Sequence, residues 1–322
     1  MAVVINTNVD SIKIQNLLNG STANLSKSMQ RMSSGLRILS AKDDAAGTVI
    51  SAKMKVQLNG NQIAQKNVQN ANALLSTAEG NLDVIEENVS RIRDLTLQAK
   101  NGTYSEEEIK AMQDEVDQRI AEINRISSSA TYSSLQLFGE KAAGGTGDAG
   151  LALNGATFQV GANDGVDNTI TADKSLFASV EFSALTKASK FNLVALSNNN
   201  TAGADDDFEA SSFKDSTGAA ITADSIPDGE SWFDVAIRSL DDAINNITDR
   251  KSVIGSAGNR MDSALNTLTT QYENLSSAKS IITDADIASE ASNFTQQQIL
   301  QQVSTSLLAQ ANQAPSIALS LV

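Results

Sequence analysis

From residue 64 to residue 92, the apolar side chains Ala64, Val68, Ala71, Leu75, Ala78, Leu82, Ile85, Val89 and Ile92 follow one another in unbroken alternating steps of four and three. Such a repeat keeps one stripe of an α-helix on the same side over about four heptads, so the segment is expected to be one long helix packed along its length on other helices. A second stripe runs through Ile237, Leu240, Ile244, Ile247, Lys251, Ile254, Gly258, Met261, Leu265, Leu268, Tyr272 and Leu275, broken only by Lys251 and Gly258. Between them Asn101-Gly102 reads as a turn. Ser105-Glu106-Glu107-Glu108 has the pattern of a capping box, and it opens a helix carrying Ile109, Met112, Val116, Ile120 and Ile123. Long helices of this kind indicate a coiled-coil rod rather than a globule.

The two ends carry shorter stripes. Leu25, Met29, Met32, Leu36 and Leu39 step by four and three, with Ile5, Val9 and Ile12 in front of them. Near the other end come Ile287, Ala291 and Phe294, then Leu300, Val303 and Leu307 on a Gln-rich background. A single amphipathic helix is marginal in water, so these stripes are expected to pair with each other or with further copies of the chain. Leu25, Met29, Met32, Leu36, Phe294, Leu300, Val303 and Leu307 are the candidate self-assembly seams. The ends also differ in charge: residues 1–60 carry seven Lys or Arg against three Asp, whereas residues 281–322 carry Asp284, Asp286 and Glu290 and no cation. Gly35 should stop the first helix, and Ser40 with Asp43 repeats the capping pattern, so a new helix should begin after Ser40.

Character changes after Gly139. Leu151, Leu153, Asn154-Gly155, Phe158 and Val160 read as a β-hairpin turning at Asn154-Gly155. Residues 177–230 are rich in Asp, Ser, Thr and Asn and read as a small, exposed, loosely specified insertion. The fold class expected is therefore mainly α: a long coiled-coil helical rod built from both termini, with a small β-hairpin region and a small variable insertion. Residues 1–43 with 283–322 would form an inner terminal domain, 44–176 with 231–282 the rod and its hairpin, and 177–230 the insertion.

Composition narrows the function. The chain has no Cys and no His, which removes disulfides, the usual zinc ligands and the commonest general base. A net charge of −14 repels nucleic-acid phosphates. No run of 18 apolar residues is present to span a bilayer, and the N-terminal residues lack the pattern of a cleaved secretory signal. Asp284, Asp286 and Glu290 lack the glycine of an EF-hand turn and read better as a helix start after Thr283. Asp205, Asp206, Asp207 and Glu209 read as a solvated loop, and Ser40 with Lys42 has no pocket motif around it. No catalytic group, cofactor or metal is expected, and the chain reads as a structural protein. The rivals are a secreted monomeric adhesin and an enzyme carried in the insertion.

Two terminal stretches carry a family resemblance. RMSSGLRILSAKDDAAG, Arg31 to Gly47, resembles the N-terminal signature of bacterial flagellins, and ILQQVSTSLLAQANQAPSIALSLV, Ile299 to Val322, resembles their C-terminal one. INTN from Ile5, LQLFG from Leu135 and FQVGAN from Phe158 extend the likeness. Leu39 and Ile287 depart from the usual residues. The resemblance implies a filament subunit exported without a cleaved signal through the flagellar channel into an extracellular homopolymer. It implies as partners an export chaperone, the filament cap and the hook-filament junction proteins; a junction protein is itself the nearest alternative. SRIRDLTLQAKNG, Ser90 to Gly102, resembles the segment read by the flagellin-sensing Toll-like receptor of animals, with Arg91, Leu95 and Glu115 at matching positions. Leu95 is expected to be an exposed apolar side chain beside the seam, on one helix face with Arg91.

Overall fold

The computed structural model describes residues 7–139, 151, 155–186, 191–198 and 231–319. Ile5, Leu153, Asn154, the acidic run at Asp205 to Glu209, and residues 199–230 and 320–322 lie outside that set. Long helices dominate: α1 (Val9–Ser34), α2 (Ala45–Ala99), α3 (Glu106–Ser129), α6 (Trp232–Thr283) and α7 (Ile287–Leu319). Between α3 and α6 come the strand pairs β1 (Thr131–Tyr132) with β2 (Leu135–Gln136) and β3 (Ala156–Gln159) with β4 (Thr169–Ala172), then the short helices α4 (Phe182–Thr186) and α5 (Leu193–Asn198). The fold is mainly helical with small antiparallel strand pairs, as expected. Packing divides the chain into residues 1–60 with 270–322 and residues 61–269, so α2 and α6 each contribute to both units.

In the second unit, the stripe counted from Ala64 to Ile92 is buried at every position, at most 2% exposed. It continues through Thr96 and Ala99, also buried. Polar ties fix how α2 lies on α6: Asn72 with Asp262 at 2.9 Å, Asp83 with Lys251 at 2.7 Å, Arg93 with Asp241, and Lys100 with Asp234. Each advance along α2, of 11, 10 and 7 residues, is matched by an equal retreat along α6, so the pair is antiparallel without slip. The Lys251 break in the second stripe is explained by these ties. Its ammonium lies between Asp83 and Glu86, at 2.7 and 2.8 Å, and both carboxylates hold it above the usual lysine range. Helix α3 opens with the expected capping box: the Ser105 hydroxyl accepts from the Glu108 N–H, and the Glu108 carboxylate accepts from the Ser105 N–H at 2.8 Å.

Two expectations are corrected here. Among the described residues the hairpin turns after Phe158 rather than before it. Strand β3 begins after Gly155 and pairs downstream with β4, Phe158 opposite Ile170, through a loop at 160–168. Gly155 is at φ +70° with the Ala172 carbonyl against its α-carbon, so its freedom from a side chain serves a close approach rather than a two-residue turn. Nor are residues 177–186 and 191–198 a loose exposed insertion. Phe177, Val180, Phe182, Leu185, Phe191, Leu193 and Leu196 are buried, and Phe182 meets Phe191 edge to face at 5.6 Å. Side chains of α3 satisfy their backbone: Asn124 accepts from the Phe182 N–H at 3.0 Å, and Gln113 accepts from the Leu193 N–H at 2.6 Å while donating to the Phe191 carbonyl at 3.1 Å.

In the first unit α1 and α7 run antiparallel. Asn8 donates to the Ala311 carbonyl at 2.7 Å, Gln301 reaches Thr22 at 3.4 Å, and Arg31 faces Glu290 at 3.7 Å. The Arg31 to Gly47 stretch forms the joint. Gly35 ends α1 in the left-handed region at φ +70°, its N–H bonding the Arg31 carbonyl at 2.8 Å. Its carbonyl then accepts from Ala285, and the Arg37 N–H donates to Thr283, so the break after α1 is stitched to the break between α6 and α7. Ser40 and Asp43 form a turn rather than a helix cap. The cap of α2 is Asp44, whose carboxylate accepts from the Gly47 N–H at 2.8 Å. Likewise α7 starts at Asp286, which accepts from Ala288 at 2.9 Å, and not at Thr283.

Candidate self-assembly interface

Along α1 the side turned to α7 is Ser11, Ile14, Leu18, Ser21, Leu25, Ser28 and Met32; along α7 it is Glu290, Phe294, Gln297, Gln301, Ser304, Leu308 and Ala311, in steps of four and three. Serines 21, 28 and 304 are its most buried members, so this contact brings the helices together over small polar residues and buries little hydrocarbon. A second apolar stripe is left over. Met29 is 53% exposed, Leu36 39%, Val303 47% and Leu307 42%. Of the eight candidate seam residues, Leu25, Met32, Phe294 and Leu300 are half-buried within the chain, and the other four are more than a third exposed. The sequence reading had not separated these two groups, because Val303 with Leu307 and Ser304 with Leu308 have the same spacing.

Helix α2 carries a further stripe, which the sequence reading missed although it was legible as a step of seven. Val49, Val56 and Ile63 are all exposed on one face, Val56 the most. Monomeric surfaces scatter apolar side chains singly; aligned ones mark a contact face.

Arg91 and Glu115 come together as a two-pronged pair between α2 and α3, with Nε to Oε1 at 2.9 Å and Nη2 to Oε2 at 3.2 Å. Arg119 adds a third bond to Glu115 at 3.1 Å and a fourth to the Asn88 carbonyl oxygen of its amide at 3.1 Å. The neighbouring guanidinium of Arg91 holds the Glu115 carboxyl below its ordinary range. Both side chains remain more than a third exposed. Leu95 does not join them at the surface. It is 2% exposed and packed in the helical core, beside the stripe that runs on from Ile92 to Thr96 and Ala99. The expectation of an exposed Leu95 beside Arg91 is thus corrected: the leucine supports this face from below.

Residues 5–143 match the family model of the bacterial flagellin N-terminal helical region, and residues 237–322 match that of the bacterial flagellin C-terminal helical region. The chain is 36% identical over 365 residues to a flagellin of Serratia marcescens, with all of both chains covered. The chain belongs to the bacterial flagellin family. A flagellin of Bacillus subtilis is 34% identical over 328 residues, 99% of each chain. In fold, this flagellin is similar to a solved structure described as a hook-associated flagellar protein from Vibrio parahaemolyticus, with a TM-score of 0.50 and 14% identity over 74% of this chain and 99% of that one. As a flagellin it is a structural protein of the flagellar filament and not an enzyme. Among the described residues no helix is long and apolar enough to cross a membrane.

Proposed function

We propose that this flagellin polymerises with copies of itself through the uncovered stripe of its terminal helices, forming an extracellular filament whose rotation drives motility. The observation that carries the proposal is the split of the seam residues: Leu25, Met32, Phe294 and Leu300 are half-buried, while Met29, Leu36, Val303 and Leu307 are more exposed. Burying four such side chains between copies contributes roughly 25 cal/mol for each Å² of apolar surface removed from water, which repeats at every subunit of a polymer. On this reading the chain leaves the cell without a cleaved signal, and an export chaperone, the filament cap and the hook-filament junction proteins engage the same terminal surfaces. Seeded elongation of the purified protein tests it. Val303→Asp with Leu307→Asp should leave the melting midpoint of the monomer near that of the parent and raise the concentration needed for elongation. Parental elongation by that double variant would overturn the assignment of the stripe.

A second reading rests on the Arg91 and Glu115 pair. It presents a fixed, exposed guanidinium and carboxylate on adjacent helices, which suits recognition by a polar receptor surface, and the residues match those by which flagellins are read by the animal flagellin-sensing Toll-like receptor. Leu95 would act there by positioning α2. Reporter-cell activation by Arg91→Ala monomer, at unchanged folding, tests the proposal; full activation would reject it.

A further inference from the structure

Arg250 is a cation with too few partners. It lines an open cavity of about 290 Å³ walled by Leu176, Ala178 and Val253, with Ser175, Asn246 and Asp249 at its edge. Its Nη1 donates to the Ala178 carbonyl at 2.8 Å, and no carboxylate lies within ion-pair distance among the described residues. Asp249, at that edge of the cavity, is exposed and forms no ion pair with Arg250. Burial pulls the guanidinium below its usual range, which is the signature of a desolvated charge that lacks compensation. The wall is unfinished as well, since Val253 is half exposed.

The complementary shape is on the same unit. The loop joining β3 to β4 exposes Val166 at its apex, 88% accessible, between the exposed carboxylates Asp164 and Asp167, neither of which has a cationic partner among the described residues. The loop is held in one form: the Gln159 amide donates to the Gly161 and Asn163 carbonyls at 2.9 and 2.8 Å, and the Val160 N–H donates to Asn168 at 2.8 Å. A rigid tip loses little freedom on docking. It cannot dock at home. Asn67 of α2 bonds the Gln159 carbonyl at 3.3 Å, and the equal-step pairing of α2 and α6 puts Asn67 level with residue 267. That is 17 residues from Arg250, about 25 Å along the helix.

We infer that the tip formed by Asp164, Val166 and Asp167 in one copy seats in the Arg250 cavity of the next, with Val166 against Leu176 and Val253 and a carboxylate on the guanidinium. The two surfaces differ, so the contact is head to tail, the kind that propagates into an open polymer rather than closing a dimer. The inference rests on the polymerisation reading and adds to it a second contact, independent of the terminal stripes.

Charge exchange tests it in seeded elongation, with the critical concentration as readout. Asp164→Lys with Asp167→Lys changes only exposed loop positions, so the monomer should melt like the parent and its critical concentration should rise about tenfold, as for loss of a close interfacial charge pair. Arg250→Glu should do the same, and the chain carrying all three changes should return to near the parental value. Where Arg250→Glu lowers the monomer midpoint, Arg250→Gln replaces it and the loop variant alone decides. Parental elongation by the loop variant overturns the inference. So does a defect with Arg250→Glu alone, which would mean that a different acidic surface fills the cavity, or a triple variant no better than the singles. A parent that fails to elongate seeds at all would instead remove the polymerisation reading beneath it.

Discussion

Leu95 and Arg91 lie four residues apart on α2, yet the first is sealed in the helical core and the second is half exposed in a pair with Glu115. Leu95→Ala should therefore destabilise the monomer itself, by about 2–5 kcal/mol as for other buried leucines, read from denaturant unfolding. Arg91→Ala should leave the same midpoint close to the parent, since an exposed pair contributes little. Equal midpoints for the two variants would contradict the burial of Leu95. At the first turn of α6, the Lys100 ammonium, then the Ser231 N–H and hydroxyl, hold the Asp234 carboxyl at about 2. A carboxyl lowered on folding contributes stability above its unfolded pKa of about 3.9, and that contribution is lost as pH falls toward 2. Asp234→Asn should thus lower the melting midpoint at pH 6, with the difference from the parent shrinking between pH 4 and about 2. A difference that does not change with pH would assign the effect to packing. The burial of Leu95 could have been read from its place three residues on from Ile92, beside the step to Thr96. The isolation of Arg250 could not, because it depends on which chain segments close the cavity around it.

Helix α3 shows how much an element can announce about itself and how much it cannot. Its start is written locally, in Ser105 and Glu108, and its stripe in Ile109, Val116 and Ile123, so its extent was legible. Its polar partners were not: Gln113 and Asn124 look like ordinary surface residues until the segment holding Phe182, Phe191 and Leu193 folds over them. The same segment looked like a variable loop because its phenylalanines and leucines fall in short runs separated by polar residues, with no period of either helix or strand to count. Its role in the core leads to a definite expectation. Gln113→Leu would remove the acceptor of the buried Leu193 N–H, costing about 1–3 kcal/mol in denaturant unfolding. No change in midpoint would show that the segment does not rest on α3. The missed strand β4 had a signal, the β-branched Thr169-Ile170-Thr171, but the Asn154-Gly155 pair offered a stronger one for the wrong turn.

Across the whole molecule the helical contacts are unequal in kind. The stripe of α2 in the second unit is solid hydrocarbon, whereas α1 meets α7 over serines and half-buried side chains, with the Arg31 Nε left without a partner. Amide exchange in the monomer should therefore be faster along residues 9–34 and 287–313 than along 64–99, and polymerisation should slow the terminal helices most. Uniform protection before and after polymerisation would count against assembly through the termini. The matched spacing of the ties between α2 and α6 also bears on how such a gene can change length. Adding or removing one codon between Asn72 and Lys100 would turn every later side chain by about 100° and carry Arg93 and Lys100 off their partners. A compensating change at the corresponding point of α6 would restore the ties but not the stripe, and only paired changes of whole heptads would keep both. A change of length in the connection between α3 and α6 would leave these ties between α2 and α6 in step.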